Sequence, residues 1–181
     1  MKNLKIWYAF PVLLLMVVFT SACNKDDELT LDFDITIPDN WVGYTIASQG
    51  LVYTANRTAV DAQDTLAEYL AVYQEPLEGY NLNTYYNALK NLLLEADEFE
   101  SMLEEKDTTI NGEPSKRMIY SETGYYITQE RDTFDLNLIT TRYCFFKNSK
   151  GYNINFVTID TLFYDNKPVF DEIIGSFVFK N

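Results

Sequence analysis

The sequence contains no histidine. That absence removes Ser-His-Asp and Cys-His nucleophilic catalysis, histidine zinc sites and histidine proton shuttling together. Cysteine is nearly absent as well, with Cys23 and Cys144 the two among 181 residues. The 7 glycines form neither a Gly-x-Ser-x-Gly elbow nor a phosphate-cradling loop. Positive charge is scarce: 14 Lys and Arg stand against 27 Asp and Glu, for a formal charge of −13. Such a surface repels nucleic acid and anionic lipid, so nucleic-acid binding is not expected. A long hydrophobic run is missing too. Residues 6–19 are apolar but fall short of the ~20 residues a spanning helix needs, and Pro11 interrupts them.

What the N-terminus does have is the pattern of an export signal. Lys2 and Lys5 make a charged start without an acid, the apolar run follows, and small residues Ser21 and Ala22 precede Cys23. Ser21-Ala22-Cys23 resembles the lipobox of bacterial lipoproteins, with Thr20 where leucine is usual. The resemblance implies removal of residues 1–22 and a lipid, including palmitate, on Cys23. Two or more acyl chains hold a protein stably on a membrane, whereas one holds it only marginally. The following Lys25, Asp26 and Asp27 resemble an acidic tag that sends lipoproteins to the outer face of some Gram-negative bacteria. The expected layout is a signal peptide over residues 1–22, an acylated tether over 23–30 and one globular domain over 31–181. The expected location is the outer membrane, lipid-anchored, at the cell surface or otherwise on the periplasmic face.

About 159 residues remain after the signal, enough for one domain with a real core. Losing Lys2 and Lys5 takes the formal charge from −13 to −15. With 47% apolar and 15% aromatic residues, the chain is no disordered acidic tail. An acylated Cys23 leaves Cys144 without a disulfide partner. Its setting, Arg142-Tyr143-Cys144-Phe145-Phe146, predicts a buried and inert thiol.

Alternation predicts a half-buried strand over residues 31–37, a turn at 38–40, and a strand pair at 44–47 and 51–55 around Gln49-Gly50. Residues 67–74 read as a strand stopped by Pro76. Leu82, Tyr85, Tyr86, Leu89, Leu93 and Ala96 recur at helical spacing behind Asn81 or Asn83 as cap, and this stripe must lie on a sheet. Strands at 99–105 and 115–121 follow, turned by Asn111-Gly112. A hairpin pairs 134–146 with 152–158 through residues 147–151. In it Tyr152, Ile154 and Phe156 face one way and Asn153 and Asn155 the other. A last helix is expected at 167–174, with Pro168 in its first turn and Gly175 past its end, before a closing strand at 176–179.

Three segments then carry a family resemblance: Ile37-Pro38-Asp39-Asn40-Trp41, Ile110-Asn111-Gly112-Glu113-Pro114-Ser115-Lys116-Arg117 and Phe170-Asp171-Glu172-Ile173-Ile174-Gly175-Ser176-Phe177. In order and spacing they resemble the PsbP-like fold family. That family includes photosystem accessory proteins, a Ran-binding nuclear transport factor and DcrB-like envelope lipoproteins. The resemblance implies an α/β (α+β) single domain, an α/β/α sandwich around a central antiparallel sheet, used for binding or assembly and bringing no catalytic residues.

Among the acids, Asp32 with Asp34 and Asp160 with Asp165 are the pairs that calcium would meet, but neither fits an EF-hand loop, so solvated carboxylates are expected and no metal or cofactor. Of 14 tyrosines, Tyr85-Tyr86 and Tyr125-Tyr126 stand out as doublets and form the candidate interaction surface. The expected function is a non-enzymatic lipoprotein that binds an envelope protein as an accessory module. The alternative is a surface lipoprotein that binds glycan through exposed tyrosines.

Overall fold

The computed structural model describes residues 30–48, 50–58, 68–127 and 133–180. Their element order is β1 (Phe33–Asp34), β2 (Trp41–Ser48), β3 (Leu51–Arg57), β4 (Tyr69–Pro76), α1 (Leu82–Leu94), β5 (Phe99–Ile110), β6 (Glu113–Ile127), β7 (Thr133–Lys147), β8 (Lys150–Ile159), α2 (Phe163–Ser176) and β9 (Val178–Phe179). Seven strands make one sheet in the order β2-β3-β4-β8-β7-β6-β5, and β1 pairs with β9 as a separate ribbon. Each pairing is antiparallel.

The turns follow from residues that tolerate a left-handed backbone. Asn111 and Gly112 take φ of 49° and 84° between β5 and β6. That is the two-residue hairpin geometry that Asn-Gly favours. Asn148 and Ser149, at 52° and 58°, turn β7 into β8. The ladder there closes at Lys147 with Lys150, so the link is shorter than the five residues expected. Asn81 caps α1 through a reciprocal pair: its side chain accepts from the Thr84 amide, and the Thr84 hydroxyl accepts from its own.

Alternation along β8 feeds two cores. Tyr152, Ile154 and Phe156 join Trp41, Leu70, Val72, Tyr143 and Phe145 under Phe170, Ile173 and Ile174 of α2. The β1–β9 ribbon completes this layer with Phe33 and Phe179, and Phe177 stacks at 5.2 Å on Phe145. On the opposite face, Tyr85, Tyr86 and Leu93 of α1 pack on Met118, Tyr120 and Cys144. The expected α/β/α sandwich around an antiparallel sheet is therefore present.

Three elements depart from expectation. The closing strand expected at 176–179 is only the two residues of β9, because Ser176 ends α2 and Phe177 caps it. The alternation at residues 31–37 yields only the two residues of β1, because Leu31, Ile35 and Ile37 pack on the core from outside any ladder. The last helix starts at Phe163, not at residue 167, so Pro168 lies inside it and Gly175 belongs to its last turn. Burial of Phe163 anchors the additional first turn, and the extended backbone of Phe177 ends the helix without a left-handed glycine.

Candidate functional site

The α1 side of the sheet has two halves. Over β6 and β7 it is covered by α1. Toward β2, strand register sets Tyr44, Thr54, Ala71, Asn155 and Arg142 side by side in one row, with Val42, Asn56, Tyr69, Val157, Thr140 and Tyr120 in the next. Successive rows on one face are two residues apart along each strand. Tyr73 therefore sits on the same face beyond Ala71.

Arg142 is the centre of this half. Its Nε donates to Asn155 Oδ1 at 2.8 Å, and its Nη2 donates to the Tyr120 hydroxyl at 2.8 Å. The guanidinium also lies 5.3 Å from the Tyr120 ring centroid, within cation–π range. Thr140 Oγ1 donates to Glu122 one row away. Burial pushes the Glu122 carboxyl up, and the Thr140 hydrogen bond and Arg142 pull it partly back. Burial also pushes Tyr120 up to about 12, and it raises Tyr69 and Tyr73. These tyrosines are thus neutral hydroxyls at physiological pH. At the outer edge of the face Val42 is 43% and Tyr44 55% exposed. The exposed part thus offers Val42 and the Tyr44 ring, with Tyr69, Tyr73 and Arg142 partly buried beside them, and Tyr and Arg are residue types on which protein interfaces concentrate their energy.

Charge is arranged to match. Every described lysine lies within ion-pair distance of a carboxylate: Lys90 with Glu105, Lys106 with Glu104, Lys116 with Asp107, Lys147 with Glu113, Lys150 with Asp32, Lys167 with Asp171 and Lys180 with Asp34. Arg57 and Arg117 pair with Glu68 and Glu104. The described lysines are thus all paired, while acids outnumber Lys and Arg in the sequence, 27 to 14. Of the acid pairs considered for calcium, Asp32 accepts from Lys150 and Tyr152, Asp34 pairs with Lys180, and Asp160 accepts from the Thr161 amide. Among the described residues, no group of three or more metal-ligating side chains comes together.

The tyrosine doublets fare differently from expectation. Tyr85 and Tyr86 are 1% and 3% exposed beneath α1, so they are core residues and present no ring to a partner. The helical spacing that placed both on the apolar stripe was the stronger signal. Tyr125 is exposed on β6, and the side chain of Tyr126 lies outside the described residues. Cys23, Lys25, Asp26 and Asp27 also lie outside them. Cys144 is fully buried, as its setting predicted. Sequence reasoning missed Val42, Tyr44 and Arg142. The available signal was residues 41–48, which hold no charged side chain in a chain that is 23% charged.

On the α2 side, a shallow cleft lined by Thr36, Ile37, Pro38, Glu172, Ile173 and Ser176 encloses about 180 Å³. That is below the ~300–1,000 Å³ of a typical small-molecule pocket, and no aromatic ring lines it.

A seven-stranded antiparallel sheet held between two helices, with a terminal ribbon beside α2, defines the PsbP-like fold. The solved structures similar to this chain include two from bacteria. The chain is similar to LpqN, involved in cell envelope biogenesis of Mycobacterium tuberculosis, with a TM-score of 0.58 and 10% identity over 82% of this chain and 83% of that one. It is also similar to cyanobacterial PsbP (CyanoP) from Synechocystis sp. PCC 6803, with a TM-score of 0.51 and 13% identity over 86% of this chain and 98% of that one. No protein-family model matches the sequence, and no curated protein matches it. The likeness is one of fold. No helix among the described residues is long and apolar enough to cross a membrane.

Proposed function

We propose that this chain is a non-enzymatic lipoprotein, anchored through Cys23 at the outer membrane, which binds an envelope protein as an accessory module. The observation that carries the reading is the outer part of this sheet face, where Val42 and Tyr44 are exposed and Tyr69, Tyr73 and Arg142 lie partly buried on the same side. Its surroundings favour a basic partner, because the described lysines are paired with carboxylates while acids outnumber Lys and Arg 27 to 14. The absence of histidine and the Ser21-Ala22-Cys23 pattern support the non-catalytic and anchored parts of the reading. Of the two similar folds, LpqN is described as taking part in cell envelope biogenesis in its own organism. Confinement to a membrane surface raises effective concentration, so modest affinity suffices.

The test is photocrosslinking in intact cells from position 44, with the buried position 86 as control. A protein adduct from position 44 is expected. Saturable binding of an oligosaccharide with no protein adduct overturns the reading in favour of glycan. Changing Asp26 and Asp27 to Ala should lower protease access on intact cells if Lys25, Asp26 and Asp27 act as an export tag, since a tether contributes little to the core. Equal access in both forms makes the run a tether alone.

A further inference from the structure

The sheet has two edges, and they are built differently. β5 carries Glu100, Glu104, Glu105, Lys106 and Asp107, and its register with β6 shifts twice, between Phe99 and Ser101 and between Met102 and Glu104. Charges and bulges are the ordinary means by which an edge strand is kept from pairing with another chain. β2 has none of the charges and no proline over its eight residues, Trp41–Ser48, and its register with β3 runs unbroken from Trp41 to Thr45 and shifts once, between Thr45 and Ser48. The Asn40 carbonyl accepts from the Thr58 amide at 2.7 Å. Antiparallel alternation then turns the backbone groups of Val42 and Tyr44 toward β3 and those of Gly43 and Thr45 outward, where among the described residues no strand meets them. The start of the edge is acidic: Asp39 is exposed just before β2 and has no ion-pair partner among the described residues, although every described lysine has one.

We propose that the outer edge of β2 receives an extended segment of a partner protein as an added strand, a segment uncharged in its middle and carrying Lys or Arg at the end that meets Asp39. The proposal rests on the protein-binding reading and names its surface. Eight residues of strand span ~26 Å, which sets the segment at about the same length. Backbone pairing with Gly43 and Thr45 supplies affinity, Val42 and Tyr44 take the alternate side chains on the α1 face, and Asp39 fixes one end. A second copy of this chain suits the edge less well. Antiparallel pairing of two β2 strands brings together two copies that carry the same surplus of negative charge.

The experiment uses the full mature protein in detergent and three synthetic peptides of alternating Val and Thr: one flanked by Lys, one flanked by Glu, and one flanked by Lys with a central Pro. The Lys-flanked peptide should bind at least ~10-fold more tightly than the other two at low salt. Thr45→Pro removes only an outward N–H, a position where an edge strand tolerates proline, and should weaken that binding at least ~10-fold with an unchanged thermal midpoint. Val42→Lys combined with Tyr44→Lys provides a second variant that keeps the backbone intact and should also lose the peptide. Equal binding of the three peptides, no binding, or full binding by both variants overturns the proposal. So does a wild-type dimer that Thr45→Pro dissociates in sedimentation, since it seats a second copy on the edge. A crosslinked partner that binds wild type and Thr45→Pro equally removes the edge proposal but leaves the protein-binding reading standing. Recovery of no protein partner removes both.

Discussion

Cys144 and Glu122 lie on the same face of the sheet, and burial acts on both in the same direction. The thiol, fully enclosed under α1, is pushed up to about 12. A thiol, not a thiolate, is present at neutral pH, and the thiol is a poor nucleophile. Iodoacetamide should therefore leave Cys144 untouched in the native protein and alkylate it once denaturant is added, as read by intact mass. Native labelling at the unfolded rate would contradict the burial. The Glu122 carboxyl is raised above its ordinary value mainly by burial. A folded pKa above the unfolded one means the folded state holds the proton more tightly, so the contribution of this group to stability falls as pH rises through that interval. The thermal midpoint of Glu122→Gln minus that of wild type should accordingly increase from about pH 4 toward neutrality, and a pH-independent difference would contradict it. Residue roles were the least legible part of the sequence. Tyr85 and Tyr86 read as a surface doublet, yet adjacent residues on a helix differ by only 100°, and both fit within a broad apolar stripe. Arg142 gave no sign in the sequence of its contact with Tyr120 and Asn155, because that contact depends on register across three strands.

Elements were read more fully. Asn111-Gly112 announced its turn, Asn81 its cap and the spacing of Leu82 to Leu93 the buried face of α1, because each signal is local and has a direct conformational cause. The start of α2 was hidden because Phe163 is held by tertiary burial, with no capping residue to mark it: Leu162 makes no side-chain cap hydrogen bond. β1 was overread because alternation records which side chains reach a core, and an irregular segment can do that without a ladder. One junction between elements is tight enough to test. A Cβ on Gly151 of β8 would lie 2.6 Å from the Tyr85 ring, so α1 closes on the sheet only because that position has no side chain. Gly151→Ala should cost about 1–3 kcal/mol in chemical denaturation. Combining it with Tyr85→Leu should return part of the loss, since the two positions share one contact. Wild-type stability in the single variant would contradict the packing.

For the whole molecule, the sandwich architecture was legible because three separated motifs agreed with the strand and helix pattern between them. Which half of the sheet α1 covers was not, because that is decided by its packing on Met118, Tyr120 and Cys144. The N-terminal signal yields its own prediction: mass spectrometry of the mature chain should find lipid on Cys23 as the first residue, and a free thiol or another first residue would end the anchored reading.

The account turns on a formal charge of −13 combined with internal pairing of the described lysines. An acidic surface that attracts a basic partner loses that attraction as salt screens it, with a Debye length that falls from ~30 Å at 0.01 M to ~8 Å at 0.15 M. The direct measurement is the affinity of the mature protein for the partner crosslinked from position 44, taken at those two ionic strengths. The account predicts saturable binding that weakens several-fold at the higher salt, chiefly through a slower association rate. Binding equal at both salts, or strengthened by salt, would contradict it.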